Sequence, residues 1–412
     1  MFEQLFQCET TVQRYRAGPL VHSRLRYLEH RATQGYARSS LQGTANEQLS
    51  LAHFLDAGEG DSVCLSQIEA SADRWVEEFP ERRRSMLRWR RQLVAAAARW
   101  LDFTGQLQQS PVQAVPHGTR LEEFAASQSG DRGLSEATVK LRCRLTREFL
   151  LQCGGLEFES IGIPDIELAL GKVAARGCGR RTVGLYASAL RAFFRHPEER
   201  GWRPPGLAAL IASPRVTADE RLPVGPAWED VQPLIAAASD PQPADRRDRA
   251  ILLLLAVYGL RSGEVRQLRL DDIDWEAETL RVRRPKPGRT HCYPLTDTLA
   301  RALLHYLQEV RPAGQSRREV FLTLRSPLGP LSKDALGQLV TRRLRRLGVV
   351  CRHRGPHGLR HACAQRLLDQ GLPMKAVGDC LGHRSAASTA VYAKVDLQRL
   401  RQVADFDLEG LA

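Results

Sequence analysis

With 412 residues and an ordinary hydrophobic share of 43%, the chain has room for two or three domains with real cores. A formal net charge of +13 points to a polyanionic partner, nucleic acid above all. Nine cysteines without a Cys-x-x-Cys pair argue against a disulfide framework and for a reducing interior, and no apolar run approaches the ~20 residues of a membrane span.

The start, Met-Phe-Glu-Gln-Leu-Phe-Gln, lacks the basic end and apolar core of a signal peptide. The expected location is therefore the cytoplasm, with the nucleoid if the source is bacterial. Residues 1–110 read as an N-terminal helical extension. Arg24 to Arg31 and Leu49 to Leu55 have the apolar spacing of amphipathic helices, and the arginines between Glu81 and Arg91 suit either a DNA backbone or a solvated helix face. Gln106–Gly118 is polar with two prolines and reads as a linker.

Residues 119–212 read as a second helical bundle. Ser135 is placed to cap a helix running past Phe149, and another helix starts at Pro164. A third, from Gly179 to Arg195, turns Leu185, Leu190, Phe193 and Phe194 to a core. Lys140 on the first of these helices, and Arg180, Arg181, Arg191 and Arg195 on the third, are candidate phosphate contacts. Residues 213–226, with Pro214, Pro223 and Pro226, read as an interdomain linker.

A C-terminal domain is expected over 227–412. Residues 245–259 form a core helix, with the run Ile251-Leu-Leu-Leu-Leu-Ala-Val. Ile273–Trp275, Thr279–Arg284 and Cys292–Leu295 read as strands of one small antiparallel sheet. Helices are expected at about 296–309, 332–347, 357–370, 374–380, 386–394 and 396–405. The fold class is mainly α with a small antiparallel sheet: helical N-terminal bundles and an α+β C-terminal domain.

The chemistry concentrates near the C-terminus. In Gly355-Pro-His-Gly-Leu-Arg-His361, Pro356 suits a first helical position, and His357 and Arg360, three apart, share a helix face. A helix start seats a phosphate oxyanion, and a guanidinium can fork onto it. His383 follows the Gly382 stop, and Tyr392 lies nine residues later. A hydroxyl, cationic clamps and a proton-transfer group are what attack on a phosphodiester needs. Cys351, His353 and His357 fit no standard zinc spacing.

His-x-x-Arg-His, Leu-Gly-His and the tyrosine nine residues beyond together resemble the catalytic end of the tyrosine recombinases, the phage-integrase and Xer-type enzymes. Tyr258-Gly-Leu-Arg-Ser-Gly-Glu264 resembles the family's Gly-Leu-Arg-x-Gly-Glu element, and Arg281 to Arg289 followed by His291-Cys-Tyr-Pro-Leu295 resembles its lysine-bearing hairpin. The resemblance spans roughly residues 120–405. It implies a tyrosine-recombinase catalytic domain at 227–412, and a core-binding domain at 119–212 that clamps one side of the DNA.

The resemblance also implies a site-specific DNA recombinase of integrase or transposase type, which cuts and rejoins strands through a 3′-phosphotyrosyl intermediate without ATP, metal or other cofactor. Its catalytic set would be Arg261, Lys286, His357, Arg360, His383 and Tyr392. Tyr392 is the nucleophile, Arg261 and Arg360 clamp the phosphate, and Lys286 protonates the departing 5′ oxygen. Glu264 would buttress Arg261, His361 would pack behind the site, and Arg289 would touch DNA. The implied partner is double-stranded DNA, held by a homotetramer, with sister recombinases where the chain serves a mobile element. Leu397, Leu400 and Val403 would form a terminal stripe for docking a neighbour or the chain's own domain. A type IB topoisomerase-like enzyme, or a non-cleaving DNA-binding protein on this fold, is the alternative.

Overall fold

The computed structural model describes residues 1–78, 86–108, 115–215, 225–238, 242–284, 290–314, 316–382 and 389. Lys286, Arg289, His383 and Tyr392 lie outside them, as do most of the 213–226 linker, residues 81–85 of the arginine cluster and the expected helices beyond residue 385 (Thr389 apart). The described residues divide into two compact units. One holds residues 1–61, 68–106 and those from 222 onward. The other holds Ser62–Gln67 and Leu107–Arg221.

The N-terminal part of the first unit is helical: α1 (Phe2–Leu5), α2 (Glu9–Ala17), α3 (Val21–Thr33), α4 (Arg38–Ala52), α5 (Leu65–Glu78) and α6 (Met86–Thr104). Phe2, Leu5, Val12, Tyr15, Leu28, Leu41 and Leu49 share one core. Arg24 is fully buried and closes the α2–α3 turn by donating to the carbonyls of Tyr15, Gly18 and Pro19. Of the expected arginine cluster, Arg90 forms a two-pronged pair with Asp73, which ties it to its own fold.

Gln106, expected in a linker, is buried. Its side-chain oxygen accepts from Ser23 Oγ and Thr104 Oγ1. Polarity marked it for solvent, but a buried amide with its own partners stabilises a core as well.

The second unit contains a short parallel pair, β1 (Val63–Cys64) with β2 (Leu107–Gln108), absent from the sequence reading because two residues carry no period. Its bundle is α7 (Gly118–Ser129), α8 (Glu136–Cys153), α9 (Ile163–Ala175), α10 (Arg180–Glu199) and α11 (Leu207–Leu210). Phe124, Phe149, Phe158, Phe193 and Phe194 meet in its core. The inner face of α10 uses Tyr186 and Leu190 with these phenylalanines, while Leu185, expected inside, is 47% exposed. The neighbouring Tyr186 takes the inward position instead.

The C-terminal part of the first unit comprises α12 (Trp228–Ala236), α13 (Pro243–Ala256), α14 (Ser262–Gln267), β3 (Ile273–Asp274), β4 (Thr279–Arg283), β5 (Thr290–Pro294), α15 (Asp297–Glu309), α16 (Lys333–Arg346), α17 (Pro356–Asp369) and α18 (Met374–Leu381). Every residue of α13 from Ala250 to Ala256 is buried, as a helix apolar all round must be. Arg343 of α16 reaches into that core and pairs with Asp248 (Nε to Oδ2, 3.0 Å). The sheet is antiparallel in the order β3-β4-β5, with Leu280 opposite Tyr293 and Arg283 opposite Thr290. The expected elements from 245 to 381 are therefore present within a residue or two at most ends. Among the described residues no helix is long and apolar enough to cross a membrane.

Candidate active site

The site grows from the end of α13. That helix stops because Gly259 takes φ +62°, a left-handed conformation that most side chains resist. There is also no room for a Cβ: it would run into Leu381 and lie 3.1 Å from Cys363 Sγ. The turn delivers Arg261 to the head of α14. Glu264, buried one turn later, accepts from the Arg261 backbone N–H (2.8 Å) and from its guanidinium (2.9 Å). One carboxylate thus fixes both ends of Arg261, whose side chain stays 43% exposed. Its other terminal nitrogen faces the Gly382 carbonyl at 3.5 Å.

Pro356 opens α17 at the first helical position. Gly358 lets the preceding segment fold back, since a Cβ there would collide with the His353 carbonyl. Gly225 crosses α17 at the same place, against the Gly358 carbonyl. Arg360 points inward and is 2% exposed. Its guanidinium donates to the Gly259 carbonyl and, at 2.7 Å, to the Leu381 carbonyl. It therefore joins the Gly-Leu-Arg turn, α17 and the Leu-Gly-His turn.

His357 is exposed, with its ring 4.2 Å from that of His361 in an edge contact. The shared face expected for His357 and Arg360 is split: the imidazole stays at the rim while the longer guanidinium turns into the core. His361 is half-buried beside His357. His353 lies 6.2 Å from His361, and among the described residues no three His, Cys, Asp or Glu side chains are grouped to hold a metal ion.

For the four expected site positions outside the described residues, the described neighbours are informative. β4 and β5 bracket Lys286 and Arg289, and Gly382 immediately precedes His383. Thr389, three residues before Tyr392, is buried, and its hydroxyl would lie 2.8 Å from a Cβ on Gly378. Three other tyrosines of this unit, Tyr258, Tyr293 and Tyr306, are occupied inside the fold. Tyr258 donates to the Pro294 carbonyl, Tyr293 donates to the Cys380 carbonyl, and Tyr306 accepts from the Leu322 N–H. Burial also pushes the Tyr293 and Tyr306 phenols above their ordinary pKa, against forming a nucleophilic phenolate. Burial lifts the Cys363 thiol to about 12, so it stays neutral beneath the arginines.

In the second unit, Arg180, Arg181 and Arg195 are exposed along α10. Lys140 is exposed and pairs with Glu136 one turn away. Arg191 differs from these: it donates to the Ile211 carbonyl and to Ser213 Oγ, and so anchors the segment after α11.

Sequence reasoning missed Arg284. Its side chain is only 11% exposed, and it donates to Tyr293 Oη at 2.9 Å. The signal was present: β4 buries Leu280 and Val282, and the next position of that period is 284.

The phage integrase family model matches residues 228–399. An integrase/recombinase of Sinorhizobium fredii is 49% identical over 178 residues, covering 43% of this chain and 91% of that protein. The tyrosine recombinase XerC of Alcanivorax borkumensis is 30% identical over 286 residues, 68% of this chain and 91% of its own. The chain belongs to the tyrosine recombinase family. The fold of these recombinases agrees: XerH bound to its difH substrate superposes with a TM-score of 0.57 at 18% identity, covering 70% of this chain and 84% of that one. A lambda integrase dimer on a core site gives 0.52 at 19% identity, covering 67% and 94%. As a member of this family, the chain is a site-specific recombinase that cleaves and rejoins DNA.

Proposed function

We propose that this recombinase works through Tyr392, whose phenol oxygen attacks the scissile phosphate and forms a 3′-phosphotyrosyl bond as the 5′ oxygen leaves. Arg261 and Arg360 hold the non-bridging oxygens, with His357 and His383 donating alongside them. Lys286 protonates the departing oxygen, a task for an ammonium rather than a guanidinium of pKa above ~12. The covalent link stores the energy of the broken bond, and a hydroxyl from a partner strand reverses the attack.

The observation that carries this reading is the set of bonds made by Arg360. Gly259 and Leu381, far apart in sequence, are both held by one buried guanidinium whose own chain position is the family's second arginine. Such a constellation is preorganised for developing negative charge.

The partner in this reading is duplex DNA. Residues 119–212 grip it through Arg180, Arg181 and Arg195, residues 213–226 link the lobes, 227–412 perform the chemistry, and residues 1–110 are an added helical module. The working assembly is a homotetramer on two duplexes, joined by sister recombinases where they exist. The setting is a mobile element acting in the cytoplasm at the nucleoid.

Covalent trapping tests the reading. The protein is incubated with a nicked, labelled site from the ends of its own element, and SDS-resistant adduct is scored for wild type and Tyr392→Phe. An adduct lost in the variant supports the assignment. An adduct that survives moves the nucleophile elsewhere and undoes it.

A further inference from the structure

The mechanism above leaves Arg284 without a role, although its side chain lies between Tyr293, Glu264 and Gly382. It follows β4 directly, next in the inward-facing period of Leu280 and Val282 and two residues before Lys286. Its terminal nitrogen donates to Tyr293 Oη (2.9 Å), and that phenol donates to the carbonyl of Cys380 (2.6 Å), near the end of α18. Its Nε lies 3.7 Å from Glu264 Oε1, the same oxygen that holds Arg261, and is buried without a hydrogen-bond partner among the described residues. Its guanidinium also fills the space that a side chain on Gly382 would take.

Two consequences follow from these contacts. One carboxylate faces two guanidiniums, so the trio of Glu264, Arg261 and Arg284 carries a surplus positive charge. Arg284 also touches the turn that leads to His383 while sitting at the root of the connection that carries Lys286. Two residues span at most about 7 Å, so fixing Arg284 restricts where the Lys286 backbone can be.

We propose that Arg284 is a positioning residue: tied to Tyr293 and to the Gly382 turn, it sets the end of β4 from which Lys286 reaches the departing oxygen. This rests on the roles given above to Lys286 and Tyr392. In the step concerned, the Tyr392 oxygen bonds to phosphorus, the bond from phosphorus to the 5′ oxygen breaks, and the leaving oxygen takes the Lys286 proton. A sulfur in place of that bridging oxygen leaves as a thiolate and needs no proton.

Cleavage of ordinary DNA and of the sulfur-bridged analogue is therefore measured in single turnover for Arg284→Ala and Arg284→Lys, with Lys286→Ala and Tyr392→Phe as controls. Arg284→Ala should slow cleavage of ordinary DNA about 100-fold, the scale of a small misplacement of a catalytic group. It should cleave the sulfur-bridged substrate within about tenfold of wild type, because proton transfer is no longer needed. Arg284→Lys should recover part of the loss on ordinary DNA.

Equal losses on both substrates by a folded Arg284→Ala protein, or no loss on either, would overturn the proposal. If that variant fails to fold, Arg284→Met, which keeps the apolar stem, carries the same comparison. Failure of the underlying reading looks different. Lys286→Ala would then not be rescued by sulfur, or Tyr392→Phe would still form an adduct, and the proposal would fall with it.

Discussion

Arg360 on α17 is 2% exposed, and its donors go to backbone carbonyls from two distant turns. Arg195 on α10 is exposed along a helix whose other face packs phenylalanines. Both are arginines in a DNA-cutting enzyme, yet burial separates what they can do. A guanidinium held by fixed carbonyls cannot follow a moving target, so it defines a point in space. One on a solvated helix face defines only a region of positive potential. The first suits the geometry of a single phosphate, the second the register-free attraction of a whole backbone.

The sharpest way to break this contrast is to remove Arg360. Arg360→Ala should lower single-turnover cleavage by about 10²–10³-fold at saturating DNA, the usual cost of losing a preorganised donor. Arg195→Ala should leave that rate nearly unchanged. Equal losses would show that the two arginines do one job. Thermal melting of both variants separates chemistry from folding.

Next in size is Gly259→Ala. It forces a Cβ into a left-handed turn already filled by Leu381, and should cost about 1–3 kcal/mol in urea unfolding. It should also depress cleavage, because the Arg360 anchor moves with the turn. A stable Gly259→Ala protein with full activity would mean that the site does not depend on this junction.

Smaller effects belong to the helix face. Replacing Arg180, Arg181 or Arg195 with alanine should each reduce the slope of log affinity against log salt by about 1 if the side chain meets a phosphate. Arg191→Ala should instead lower stability, since its donors hold Ile211 and Ser213.

The smallest effect tests the inner face of α10. Burial of His196 among Phe124 and Trp202 lowers its pKa below the ordinary value, with Arg200 acting in the same direction. The unfolded chain then takes up its proton first as pH falls. Stability is present above ~6.5 and is lost as pH drops toward the folded pKa. Urea midpoints across that window should fall for wild type and flatten for His196→Phe.

Much of the C-terminal fold was legible because short motifs fix local turns. Gly382 announced a helix stop and Pro356 a helix start, while the left-handed turn at Gly259 came into view only in the structure. What remained hidden was decided by packing. Spacing put His357 and Arg360 on one face, but side-chain length and the carbonyls behind the helix sent one outward and one inward. Leu185 satisfied the apolar pattern, yet its neighbour Tyr186 won the interior. Gln106 looked like linker because polarity says nothing of a partner as distant in sequence as Ser23. Arg284 was legible in the strand period and was overlooked because a charged residue is expected to point to water.

The interlock of Arg284 with Gly382 also bears on how such sequences diverge. A guanidinium that fills the volume left by an absent side chain makes two positions, 98 apart in the chain, answerable to each other. Glycine at 382 can be exchanged, for asparagine or aspartate at such a backbone angle, only where 284 has become small. The two sites should drift as a linked pair among related recombinases, each change selecting for the other.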